Sequence, residues 1–224
     1  FDETLKLLTC GHAMDCLRKL REVGLHQDLM PLLDVVFNVP EGEEFVDLAL
    51  ARTDARVRSG KPVSPSFLFA ALLWKLVNQR WQALVQAGGH PTQTLLEAAD
   101  SVLDEQSRKM AIQRRFIADI REIWFMQARF ERVNPKAIWR MLEQPRFRAA
   151  VDFLQLRAEA REVDSVMAQW WMDLANADPD ERVPMIEAYQ ASQRDRAPAV
   201  RKRRRRPRRK PAGNAGPAGG TAVA

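Results

Sequence analysis

The stretch Pro145 to Arg161, PRFRAAVDFLQLRAEAR, decides how the chain folds. At about 100° per residue, Phe147, Val151, Leu154 and Ala158 fall on one stripe of a helix, and Ala149, Phe153, Leu156 and Ala160 fall on a second. An ordinary surface helix carries one apolar stripe, so a helix with two is covered on two sides and is central. Pro145 predicts the start, because its fixed φ suits the first helical position and its missing N–H would have had no intrahelical partner there. Arg148 and Asp152 share a polar face at a spacing of four, which gives that arginine a local carboxylate. Arg146, Arg157 and Arg161 lie between the stripes. Arg146 and Arg157 stand only about 20° apart around the axis, with no acid on their own face, so any carboxylate they meet comes from another helix. Two readings follow: the stems lie on apolar neighbours with the guanidinium kept wet, or the arginines form an anion-facing ridge.

The rest of the chain also reads as helices. Asp2 to Leu33 gives two short ones with breaks near Gly11 and Gly24. Glu41 to Arg58 opens on carboxylates, where the helix dipole favours them, and Gly60 ends it. Ser64 and Pro65 cap and open a helix to about Ala87, with Phe67, Ala70, Ala71, Trp74, Val77 and Trp81 as its buried stripe. Gly88-Gly89 stop it, and Pro91 to about Met110 follows. Arg114 to Arg132 buries Phe116, Ile120, Ile123, Trp124, Gln127 and Phe130, and sets Arg114, Arg121 and Arg132 on the opposite side as a basic edge. Arg115 has Asp119 four residues on as a local partner. Pro135 opens a short helix with Lys136 and Arg140 outside. Val163 to about Tyr189 is helical with a break at Asn176 to Pro179. Paired carboxylates in the DPDE run, Asp178 to Glu181, fit a helix cap rather than a metal pair. The fold class is all-α: residues 1–33 as the end of neck helices, 34–193 as a multi-helix body, and 194–224 as a disordered arginine-rich tail.

Composition limits the function. The chain has 224 residues, enough for a substantial core. Its longest apolar run, Phe67 to Trp74, is eight residues, against the roughly 20 that a membrane helix needs. No membrane partner is expected. Cys10, His12, Cys16 and His26 match none of the common zinc spacings. Two cysteines make no disulfide framework, in keeping with a reducing cytoplasm. Charge comes in blocks: −5 over residues 1–107, +7 over 108–161, −6 over 162–193 and +10 over 194–224. Alternating blocks steer a polyanion to particular places. The run Arg201, Lys202, Arg203, Arg204, Arg205, Arg206, Pro207, Arg208, Arg209, Lys210 holds nine cations in ten residues, a density that binds phosphates by releasing counterions. The leading partner is nucleic acid, and the candidate binding residues, which the resemblance given below makes RNA-binding, are those of this run together with Arg114, Arg115, Arg121, Arg132, Lys136, Arg140, Arg146, Arg148, Arg157 and Arg161. Trp124, Trp139 and Phe153 are candidate stacking rings if they are not buried. No catalytic residue and no metal ligand is read.

In order, SPSFLFAALLW (Ser64 to Trp74), RRFIADIREIW (Arg114 to Trp124), PRFRAAVDFLQLRAE (Pro145 to Glu159), the Trp170-Trp171 pair and the arginine-rich C-terminus resemble the C-terminal half of the bacterial poly(A) polymerases, relatives of the CCA-adding enzymes. Where that family usually has a tyrosine after Arg-Ala-Ala, this chain has Val151. The resemblance implies an RNA-binding helical body that follows a catalytic head, with no initiator Met at Phe1 and no Gly-Ser turn or paired aspartates in this chain. It implies that the parent adds AMP from ATP to single-stranded RNA 3′ ends without a template, using magnesium held by that head, and that this portion binds no cofactor and is inactive alone. A cytoplasmic setting and RNA-decay protein partners at the tail go with it. The other readings are the body of a CCA-adding enzyme, which the arginine tail argues against, and a non-enzymatic helical RNA-binding adaptor.

Overall fold

The computed structural model describes residues 2–24, 42–109, 112–131 and 135–196, and among these every regular element is an α-helix. They are α1 (Asp2–Leu8), α2 (Ala13–Glu22), α3 (Gly42–Arg58), α4 (Pro65–Gln86), α5 (Pro91–Lys109), α6 (Arg114–Phe130), α7 (Pro135–Leu142), α8 (Phe147–Glu159), α9 (Ser165–Asn176) and α10 (Pro179–Arg196). No described helix is long and apolar enough to cross a membrane.

The apolar run of eight residues is a core helix. Ser64 caps α4 by accepting from the Phe67 N–H at 3.4 Å, and every residue from Leu68 to Trp74 is buried. A helix apolar on all sides has to be covered on all sides, and α3, α5, α6 and α8 do so. The periodicity pointed to one stripe here; the structure buries Leu68, Phe69, Leu72 and Leu73 as well. Conversely Phe67, expected inside, is only partly buried. α4 and α5 form a tight hairpin at Gly88-Gly89. Gly88 sits at φ +94°, and a Cβ on Gly89 would stand 2.2 Å from Thr94 Cγ2 and 2.9 Å from the Leu84 carbonyl oxygen, so neither position suits a side chain. At the other end, α2 takes its cap from a distant helix: buried Asp54 of α3 accepts from the N–H groups of Ala13 at 2.9 Å and Met14 at 3.3 Å.

α8 joins two cores. Phe153 and Leu156, flanked by Ala149 and Ala160, belong to a cluster with α4, α5, α6 and the first three helices. Phe147, Val151 and Leu154, flanked by Ala158, belong to a second cluster with Met126, Phe130, Ile138, Trp171 and Ile186. Each sequence stripe thus faces its own core. In the second, Phe130 and Trp171 meet at 4.7 Å between ring centroids, tilted by 61°, an edge-to-face arrangement that adds to the area buried. The helix begins two residues later than Pro145 implies, because Pro145 and Arg146 form a turn closed by the Phe147 N–H on the Gln144 carbonyl at 3.0 Å.

The end of α8 explains Arg157. The Arg161 N–H bonds the Ala158 carbonyl at 3.0 Å and the Glu162 N–H bonds the Arg157 carbonyl at 2.8 Å, with Arg161 in the left-handed region at φ 59°. This is a Schellman cap with arginine where glycine is usual. It folds Glu162 back, so that one carboxylate oxygen accepts from Trp74 Nε1 at 2.7 Å and from Arg157 Nε at 3.3 Å. Glu131 takes Arg157 Nη2 at 2.9 Å, Gln127 Oε1 lies 3.4 Å from Nη1, and the guanidinium faces the Trp74 ring at 4.8 Å. Lys75 Nζ stands 3.7 Å from Glu162, so two cations meet two carboxylates. Arg157 is 2% exposed. It cannot face a phosphate, which corrects its place among the RNA-binding candidates: the acid missing from its own face arrives from the end of α6 and from the cap of its own helix.

Two outcomes follow for stability. Arg157→Gln strands a buried carboxylate and should lower the unfolding free energy in urea by about 3 kcal/mol or more. Arg161→Gly relieves the left-handed strain and should raise it by about 1 kcal/mol.

Candidate nucleic-acid interface

The remaining sequence candidates divide by what they touch. Arg114 and Arg115 are exposed at the start of α6, which has no acid in its first turn. Cations at a helix N-terminus oppose its dipole, so they add positive potential there at the expense of the helix. Arg115 does not use Asp119; its guanidinium lies 4.7 Å over the Phe116 ring. Asp119 instead accepts from Arg146 Nε at 2.8 Å and from Ser66 Oγ at 3.0 Å, tying the turn before α8 to the start of α4. Arg121 pairs with Asp100 of α5 at 2.9 Å, leaving a broken basic edge. Arg140 and Arg161 are exposed. Arg132, the Lys136 side chain and the whole Arg201 to Lys210 run lie outside the described residues. Of the candidate rings, Trp124 and Phe153 are buried, and Trp139, beside Arg140 on α7, is 42% exposed.

The structure brings Arg146 and Arg148 to a place that the sequence reading did not single out. A groove of about 840 Å³ runs between the end of α3, the α3–α4 connection and the start of α8. Its cations are Arg52, Arg56, Lys61, Arg146 and Arg148, and Asp152 is the one carboxylate in its lining. Arg148 Nε lies 3.3 Å from Asp152, and its Nη1 also donates to Asn176 Oδ1. Arg52 pairs with Glu159. Arg56 Nε donates to the Pro62 carbonyl at 2.7 Å. Burial pushes the Asp152 carboxyl above the usual carboxylate range, and Arg148 first, then Arg56 and Arg52, pull against that shift. Phe67, Val63, Pro145 and Ala149 give the groove apolar surface between the cations.

A second hollow, of about 500 Å³, has the opposite sign: Glu131, Glu162 and Asp164 line it beside Trp170 and Tyr189. No group of three His, Cys, Asp or Glu side chains among the described residues is placed to hold a metal ion. Glu131 and Glu162 are the carboxylates that meet Arg157, so the acids of this hollow are largely engaged within the fold.

Residues 87–210 match the family model described as polymerase A arginine-rich C-terminus, and residues 1–37 match that described as probable RNA and SrmB-binding site of polymerase A. The chain is 35% identical over 216 residues to poly(A) polymerase I of Salmonella typhi, covering 94% of this chain and 45% of that protein. It is 35% identical over 217 residues to poly(A) polymerase I of Haemophilus influenzae, covering 94% and 47%, and 34% identical over 218 residues to that of Escherichia coli O157:H7, covering 94% and 45%. The chain thus spans about half the length of the curated relatives it matches. With the arginine-rich model spanning more than half of its 224 residues, and both matches in the expected order, the chain belongs to the family of the polymerase A arginine-rich C-terminus and is homologous to the C-terminal part of bacterial poly(A) polymerase I.

Proposed function

We propose that this chain is the RNA-gripping portion of a poly(A) polymerase, and that the parent protein adds AMP from ATP to RNA 3′ ends without a template. The observation that carries the RNA reading is the way charge is used. Buried charges are paired internally around Arg157, whereas Arg114, Arg115 and Arg140 stand exposed with no carboxylate within bonding distance among the described residues. Exposed cations spread over a folded body, with a ring such as Trp139 beside them, are what a single strand needs: phosphate contacts for affinity and a flat face for a base. The match to a probable RNA-binding site of polymerase A and the likeness to poly(A) polymerase I support the same substrate.

Catalysis is assigned to a head upstream of Phe1. The sequence has no Gly-Ser turn followed by two aspartates, the pattern that would hold ATP and magnesium. Within the whole enzyme, the body would hold the strand behind its 3′ end and the Arg201 to Lys210 run would raise its local concentration. A cytoplasmic setting, a role in mRNA processing, and partners of RNA decay that meet the tail go with this reading.

Three measurements test it. Purified chain incubated with ATP, magnesium and an RNA primer should bind the primer and leave its length unchanged; extension would place catalysis in this chain. Deleting Arg201 to Lys210 should weaken binding across all sequences and flatten the salt dependence, since each phosphate contact on a single strand contributes about 0.7 to the log-log slope. Trp139→Ala should weaken binding of single-stranded RNA by about 1–3 kcal/mol if the ring stacks on a base, and Trp139→Phe, which keeps a ring on this 42% exposed position, should retain most of the binding.

A further inference from the structure

The groove between α3, the α3–α4 connection and α8 is lined by residues that no family description assigns, and Arg52 to Phe67 fall between the two matched stretches, 1–37 and 87–210. Its chemistry starts with the end of α3. The Gly60 N–H bonds the Val57 carbonyl at 2.9 Å and the Lys61 N–H bonds the Arg56 carbonyl at 3.0 Å, with Gly60 at φ +69°. This too is a Schellman cap. Such caps bring the third residue from the helix end against the second residue after it, commonly as an apolar pair. At the end of α8 that pair is Arg157 and Glu162, which attract. At the end of α3 it is Arg56 and Lys61, which repel.

Both of these cations are exposed, and neither has a carboxylate within bonding distance among the described residues. Across the groove stands Arg148, whose one acid, Asp152, is shared in its field with Arg56 and Arg52. Of the five cations of the groove, Arg52, Arg146 and Arg148 each meet a carboxylate, Glu159, Asp119 and Asp152 in turn, so the surplus rests on Arg56 and Lys61, and a chain of phosphates relieves it. Between the cations lie the partly buried Phe67 ring and the surfaces of Pro145 and Ala149, apolar ground of the kind on which a base or ribose rests. An isolated phosphate has no use for that ground, whereas every nucleotide of a strand carries a flat face that can use it.

We infer that this groove holds a single RNA strand, with phosphates at Arg56, Lys61 and Arg148 and a base over the apolar surface beside Phe67. This rests on the RNA-binding reading and adds the place on the body where the strand lies. Asp152 acts in it as the one repulsive element, so its removal should improve binding, which a merely structural Arg148–Asp152 pair would not do.

The test uses the full chain, 5′-labelled oligoadenylate and fluorescence anisotropy over a range of salt concentrations. Lys61→Gln removes a cation with no bonded partner and leaves the fold intact; Arg56→Gln with Lys61→Gln removes both. The double variant should lower the log-log salt slope by about 1.4 and the affinity on the order of ten-fold, and the single variant should give about half of that slope change. Asp152→Asn should tighten binding several-fold. Oligoadenylate carrying a photoreactive base should cross-link to peptides containing Phe67 or Pro145. If Lys61→Gln and the double variant keep the wild-type slope and Asp152→Asn does not tighten binding, while replacing the cations of Arg201 to Lys210 by Gln abolishes it, the groove assignment is overturned and RNA binding by the tail stands. Failure of the wild-type chain to bind oligoadenylate would overturn the RNA reading itself. Polyglutamate that is present before irradiation at equal charge and prevents the cross-link to Phe67 or Pro145 peptides would show an acidic-peptide site and overturn the assignment to RNA.

Discussion

The buried charge of Arg157 is the constraint on which the two cores depend. An unpaired guanidinium in an apolar interior is untenable, so everything around it has to supply acceptors: Glu131 from the end of α6, Glu162 from the cap of α8, Gln127 from the middle of α6, and the face of Trp74 from α4. These groups come from both sides of α8. An apolar residue of similar volume would pack as well, or better; what the ion cluster adds is geometry, since only one placement of α8 relative to α4 and α6 satisfies all the partners together. α8 can then serve as a wall common to both clusters, with a stripe for each.

The same local motif is used twice with opposite sign. Both α3 and α8 end in a Schellman cap, and in both the pair that the cap brings together is charged. Where the pair is Arg157 and Glu162, it is enclosed and holds the fold. Where the pair is Arg56 and Lys61, it is left in water at the edge of a groove. Backbone geometry is identical in kind; burial and the identity of one residue decide whether the result is a buried ion pair or two exposed cations side by side.

Much of this was legible in the sequence, for identifiable reasons. Period and turn residues give the helices, since Ser64, Gly60 and Gly88 act locally, and the two stripes of α8 are carried by spacing alone. α4 was read as one-sided because a stripe search assumes a wet face, and FLFAALLW has none. Arg157 was misread because its acids come through a cap and a neighbouring helix, and the cap was disguised by an arginine at the position where glycine would have announced it. The groove was hidden by averaging: residues 1–107 sum to −5, which conceals four cations in the ten residues Arg52 to Lys61. Even there a count would not have shown that Arg58 is held on the Gly11 carbonyl at 2.8 Å and away from the groove, while Arg56, on the Pro62 carbonyl at 2.7 Å, and Lys61 line it. That division needs coordinates.

The placement of Glu162 also bears on the order in which the chain assembles. α4, α5 and α6 follow one another directly and pack on one another, so their contacts close short loops and form early. The Trp74–Glu162 bond joins residues 88 apart, and it cannot exist until α8 has docked and its end has turned back. The ion cluster is then expected to form late, after the folding transition state. Its loss is expected to accelerate unfolding while leaving the folding rate nearly as it was, and a chevron plot of an Arg157 variant reads that partition directly.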